Sequence, residues 1–361
     1  MKTVINITLF LLCSLIAVAQ ETKEKKLIFE LFYTAELQSN FSNGKYNWVN
    51  LIEPHFGYKP WKNGSFDIET QTIYKTYKNR IADDLQVFSN IDEEIMALNI
   101  SMGGYTHTFN NFLIFGGLRN VNFDYFTQAY TSVFTNSSCG IFPTISGNYP
   151  SPNYPVSAMC IHGEIMFSNA LKLKTSFYNG VSRQLFNDEE HSILAINPSR
   201  DGIFNMTELG YTNNKKYAYY GLGMAAHTFH ISYTNEGEPV SRFNYSLWSS
   251  VEQSFYHSGK KEIGLLAQAS FSPEDRSLCS QYYGLGTIWK GFLPAKKTTN
   301  HIAVLANYAK FGEETETLIE LTCRYGILDD LSIQPVFDYI LTGNEVNCIG
   351  MIRVNYVFNN K

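Results

Sequence analysis

The 361-residue chain is short of charge. Asp, Glu, Lys and Arg make up 17% of it, against about 25% in an ordinary soluble domain. That scarcity argues against a secreted globule with a charged surface. Beyond residue 19 there is no run of about 18 or more apolar residues, so no transmembrane helix is available. Six cysteines are present, and Cys13 lies in the apolar leader. The other five show no C-x-x-C spacing, which excludes a full disulfide framework and a zinc motif. Cys139 and Cys160 flank one loop, and an oxidising compartment would permit them to bridge. The net charge of −5 comes without a basic tract interleaved with aromatics, so no nucleic-acid partner is expected. G-x-S-x-G, HExxH and a phosphate-binding loop are all missing. His227 and His230, three apart on an expected strand, point to opposite faces and cannot share a metal. No catalytic residue, cofactor or metal is therefore expected.

What is present is aromatic. Phe, Trp and Tyr reach 15%. The chain opens with Lys2, a largely apolar stretch from Val4 to Ile16, and Ala17-Val18-Ala19. That is the pattern of an export signal over residues 1–19, with residues 20–361 as one mature domain. Leu12 stands before Cys13 where a lipobox wants a small residue, which argues against lipidation.

The mature chain alternates in character every second residue. In Glu345–Phe358, Ile352, Val354, Tyr356 and Phe358 share one side and Arg353 and Asn355 the other. Period-two alternation marks a strand with different surroundings on its two faces. Sixteen such segments are expected, near 27–38, 48–59, 65–78, 94–108, 111–119, 157–168, 171–179, 203–212, 216–231, 243–256, 262–271, 280–290, 299–310, 316–327, 331–341 and 346–358. In the first, Leu27, Phe29, Leu31, Tyr33 and Leu37 oppose Glu30, Thr34 and Glu36. In the fourth, Met96, Leu98, Ile100 and Met102 oppose Asn99 and Ser101. Tight links alternate with long ones, of which 120–156 and 180–202 are the longest. Outer-membrane barrels pair short periplasmic turns with longer outside loops in this way. The expected fold is all-β, a transmembrane antiparallel barrel of about 16 strands.

From Phe112 onward the chain resembles the carbohydrate-selective (OprB-type) porin family of Gram-negative outer membranes. The stretches that carry the likeness are Leu113–Asn136, Asn153–Gly163, Asp201–Tyr211, Phe271–Arg276 (FSPEDR), Glu316–Tyr339 and Arg353 in the last strand. The resemblance implies a channel narrowed by its long third external loop, here Asn120–Val156, folded inward. It implies passive diffusion of mono- or oligosaccharides, or other small hydrophilic solutes, through an integral barrel bathed in outer-membrane lipid, as a monomer or homotrimer. The alternative is a barrel that does not transport, such as a surface enzyme or adhesin.

Several residues are candidates to line the pore. Arg119 precedes the loop, and Tyr125 and Tyr130 lie within it, with Phe126 and Phe134 at near-helical spacing. These rings either offer faces to sugars or pack the loop against the wall. On the expected wet side of the closing strands stand Glu320 and Arg324, Gln334 and Asp338, and Arg353. Long polar groups there suit hydrogen bonding to sugar hydroxyls, or an interior salt-bridge network that stiffens the wall.

Overall fold

The computed structural model describes residues 26–183, 192–233, 239–293 and 300–360. Residues 1–19 lie outside them. Sixteen strands run in sequence. β1 is Leu27–Asn40, β2 Tyr46–Trp61, β3 Gly64–Lys75, β4 Met96–Thr108, β5 Phe112–Arg119, β6 Ala158–Met166, β7 Leu171–Asn179 and β8 Ile203–Asn213. β9 is Ala218–Tyr233, β10 Pro239–Ser258, β11 Lys261–Phe271, β12 Cys279–Lys290, β13 His301–Phe311, β14 Glu314–Gly326, β15 Leu331–Thr342 and β16 Glu345–Asn359. Each pairs antiparallel with its neighbours in sequence, and β1 closes on β16 with Glu36 opposite Arg353. Closure satisfies every ladder edge, which a sheet in hydrocarbon requires.

The faces separate as the alternation predicts. On β1, Glu36, Gln38 and Asn40 are buried while Leu37 is exposed. Ile161, Leu222, Leu285, Leu321 and Ile352 are exposed on the outer wall. Aromatics cluster at both rims, among them Trp61, Tyr105 and Phe167 near the tight turns and Tyr46, Phe243 and Tyr283 near the long loops. Such girdles sit at membrane interfaces. Among the described residues no helix is long and apolar enough to cross a membrane.

β4 departs from the expected alternation. Its register with β3 shifts between Glu69 and Thr70 and again between Gln71 and Ile73. Each shift is a bulge, which adds a residue and swaps the faces of the residues beyond it. Met96 and Met102 are therefore buried together with Asn99 and Ser101, and Leu98 is exposed at a φ of 52°.

The interior is filled far more than a plain pipe. The third loop, residues 120–157, leaves β5 and reaches across to β10, β12, β14 and β15, so it lies inside the barrel. Its path is set by short helical turns that its own side chains cap. Asn120 accepts from the N–H of Asn122, and Asn136 from that of Ser138. Asn and Asp favour such starts because a short side chain reaches its own backbone two residues on. The second loop, residues 76–95, also folds inward, which the alternation does not predict. Its Ile81, Ala82 and Phe88 pack on Leu318, Ile340 and Ile349 of the wall. Cys139 and Cys160 are both free, and each packs in a different apolar cluster, so they are not bridged.

Candidate permeation site

Wall carboxylates hold the two inward loops by their backbones. Glu252 of β10 accepts from the N–H groups of Tyr130 and Thr131 at 2.8 and 2.6 Å. Glu320 of β14 accepts from those of Thr135 and Asn136, each at 2.9 Å. Glu316, on the same face of β14, accepts from Leu85 and Gln86 of the second loop, each at 2.8 Å. A carboxylate has four lone-pair sites and no proton to donate, so it suits pairs of successive N–H groups. All three are buried. The loops then bond to each other: Asn90 N–H donates to Thr135 O at 2.8 Å, and Ser137 N–H to Val87 O at 2.9 Å.

Most of the expected pore-lining residues belong to this scaffold. Tyr125 and Tyr130 are fully buried. The Tyr125 hydroxyl donates to Met206 O, and that of Tyr130 to Glu262. Their rings pack the loop against the wall and do not present faces to the lumen. Arg119 grips Asp124 through Nε and Nη2 at 2.8 and 2.6 Å, with its guanidinium over the Phe115 ring. Gln334 donates to Val133 O, and Arg324 donates to Ser332. Asp338 stands opposite Glu320 in register and is wholly buried. Glu320 is thus bonded to the third loop, and Asp338 is buried beside it.

Arg353 is different. Its Nε donates to Glu36 at 2.6 Å and its Nη2 to Asn90 of the second loop at 2.6 Å. It also borders a cavity of about 490 Å³ between the wall and the two loops. Thr34 and Glu53 line that cavity from the wall, Asn90 and Glu93 from the second loop, and Asn122 and Asn153 from the third. Burial is the largest influence on Glu93 and pushes its carboxyl up from the usual range, with Arg80 pulling it back. The volume falls in the range of small-molecule sites. The lining offers amide donors and acceptors with one cation and two carboxyls. Sequence reasoning misses the second-loop residues because a charged stretch such as Asp92-Glu93-Glu94 reads as an ordinary exposed loop. A signal was there: Leu318, Ile340 and Ile349 occupy wet positions and need apolar partners.

A polar cavity beside two inward loops, inside a closed sixteen-stranded wall, fits the architecture of a narrowed diffusion channel. The carbohydrate-selective porin family (OprB) matches residues 75–347. The chain belongs to this family. It is an outer-membrane porin of the Gram-negative type, an integral barrel for the passage of sugars. Among solved structures, the high-pH form of Pseudomonas putida OprB superposes with a TM-score of 0.79 at 13% identity, covering 92% of this chain and 94% of that one. Outer-membrane-expressed OmpT of Vibrio cholerae gives 0.59 at 10% identity, over 93% and 99%. The anion-selective porin from Comamonas acidovorans gives 0.56 at 11% identity, over 92% and 98%. At such identities the likenesses establish the fold alone. No curated protein matches the chain.

Proposed function

We propose that small neutral sugars cross this porin passively along the cavity between the wall and the paired loops, with Arg353, Glu53, Asn90 and Asn153 as their contacts. The observation that carries this reading is the mixed polar lining of that cavity, with Arg353 of β16 bonded to second-loop Asn90 at its edge. Both charge signs are present, so neither anions nor cations are strongly favoured, while amides and charges suit hydroxyls. In this reading Arg119, Tyr125, Tyr130, Glu320 and Gln334 act indirectly, by fixing the third loop that sets the aperture, while Arg324 bonds across the wall to Ser332 and Asp338 lies buried beside Glu320. The barrel carries out no chemical step. Residues 1–19 direct export and are removed, and the mature barrel works as a monomer or a homotrimer within outer-membrane lipid; crosslinking in native membranes separates the two.

Planar-bilayer conductance with sugar block tests the reading. Purified barrels should conduct, and mono- or disaccharides should reduce the current. Arg353→Ala and Asn90→Ala should weaken that block and raise conductance. A purified barrel that gives no channel, or sugar block indifferent to both substitutions, would end it. Enzymatic turnover by a non-conducting barrel would favour the surface-enzyme alternative.

A further inference from the structure

A second polar cluster sits away from the cavity, where the third loop first meets the wall. His162 and Glu164 are two apart on β6 and so share a face. Asp124, just after the first helical turn of the third loop, comes up to them. The His162 Nε2 lies 3.6 Å from Asp124 Oδ1 and 3.6 Å from Glu164 Oε1. The imidazole is buried, and this nitrogen has no hydrogen-bond partner. One ligand atom from each residue falls within 4.8 Å of the others.

A chain of hydrogen bonds places a proton on Nδ1 of the ring. The Tyr125 hydroxyl is 2.9 Å from Met206 O, a pure acceptor, so it donates there. Its oxygen, 2.9 Å from Ser176 Oγ, must then accept from Ser176. With its proton so used, Ser176 accepts at 2.7 Å from His162 Nδ1, which therefore carries a proton. A neutral ring consequently aims the bare Nε2 lone pair between two carboxylates. Three electron-rich atoms facing one point in a water-poor pocket repel one another, and either a proton on Nε2 or a metal ion between them relieves this.

We propose that Asp124, His162 and Glu164 bind a divalent transition-metal ion of the zinc class. Zinc bonds of about 2.0–2.2 Å in tetrahedral geometry separate ligand atoms by roughly 3.4 Å, close to the two 3.6 Å separations from His162 Nε2. One imidazole and two carboxylates form a mixed nitrogen–oxygen set suited to such ions rather than to magnesium. The Nδ1–H bond to Ser176 is the outer contact that metal-bound histidines regularly make. Arg119 bonds both Asp124 oxygens, Oδ1 included, and Lys172 holds Glu164 Oε2 at 2.7 Å. These cations orient the carboxylates and moderate the affinity. Glu164 and Lys172 are partly exposed, which gives the ion a way in from the tight-turn end of the barrel. Once bound, the ion would tie the start of the third loop to β6.

The test uses untagged, EDTA-treated barrel in detergent, titrated with Zn²⁺ by calorimetry and with Co²⁺ by visible absorption. One saturable equivalent is expected, with Co²⁺ giving the intense bands of a tetrahedral site. His162→Gln and Glu164→Gln should each abolish that equivalent. Ser176→Ala should weaken it about tenfold, the usual effect of losing an outer contact. Heat-modifiable mobility on gels keeps misfolded variants out of the comparison, and Glu164→Gln, at a partly exposed site, is the variant least able to disturb folding. No saturable equivalent would mean that a proton occupies the site and would overturn the proposal. Binding that survives both His162→Gln and Glu164→Gln would overturn it as well.

Discussion

At the residue scale, the inward loops are held by buried wall carboxylates, Glu252, Glu316 and Glu320. Glu320 satisfies two successive N–H groups that the wall would otherwise bury unpaired. Glu320→Ala orphans both, at about 1–3 kcal/mol for each group. The third loop should then fluctuate; single-channel recordings are expected to show higher and noisier conductance than wild type, with a lower thermal midpoint. Asp84 supplies a pH response. It accepts from Phe88 N–H at 2.6 Å inside the second loop, and burial pushes its carboxyl up to about 7, with Arg80 opposing and Glu316 adding to the rise. The inward loop thus binds a proton that the released loop gives up. Its stability is full below the ordinary carboxylate range, falls as pH rises from about 4 to 7, and is level above that. Asp92 and Glu93, both also shifted upward chiefly by burial, titrate in the same direction. Conductance noise should therefore grow from acid to neutral pH, and Asp84→Asn should remove part of that growth. A profile identical to wild type would show that Asp84 is not the group responsible.

At the scale of elements, the wall was legible and its contents were not. All sixteen strands stand within a few residues of where alternation puts them, because each has lipid on one face and the same two neighbours along its length. β4 failed because a bulge inserts a residue that no pattern of apolar and polar letters announces. The third loop's inward path was an expectation from resemblance, and its bonds to β10, β12, β14 and β15 run along such a path. The inward path of the second loop was missed, since a polar side chain at a wet position reads the same whether it faces water or a folded loop. For that reason Glu320 and Asp338 looked like solute contacts, whereas Arg353 is at the cavity. The apolar residues at wet positions were the more telling ones. If they exist to seat the second loop, replacing residues 79–92 by a short Gly-Ser turn should leave a folded barrel, because the ladder closes without them. It should also open the passage: liposome swelling is expected to admit larger sugars than wild type does. A shortened barrel with an unchanged size limit would show that the third loop alone sets the aperture.

At the scale of the molecule, the two inward loops act as one partition. Glu316 and Glu320 lie on the same face of β14, and each holds a different loop. Between the loops, Asn90 N–H reaches Thr135 O, Ser137 N–H reaches Val87 O, and Asn136 Nδ2 reaches Val87 O at 3.2 Å. Residues 135–137 thus meet both the Glu320 clamp and the second loop. Freeing either loop should disturb the other. Glu316→Ala leaves every wall bond of the third loop intact, yet it should raise conductance much as Glu320→Ala does. In the double variant the losses in unfolding free energy should fall short of their sum by about 0.5–3 kcal/mol, the range found for groups in one network. Denaturant unfolding in detergent micelles, with the barrel wall as the common reference, measures that coupling. Additive losses, with Glu316→Ala leaving conductance unchanged, would mean that each loop is seated by the wall alone and that the aperture has two independent edges.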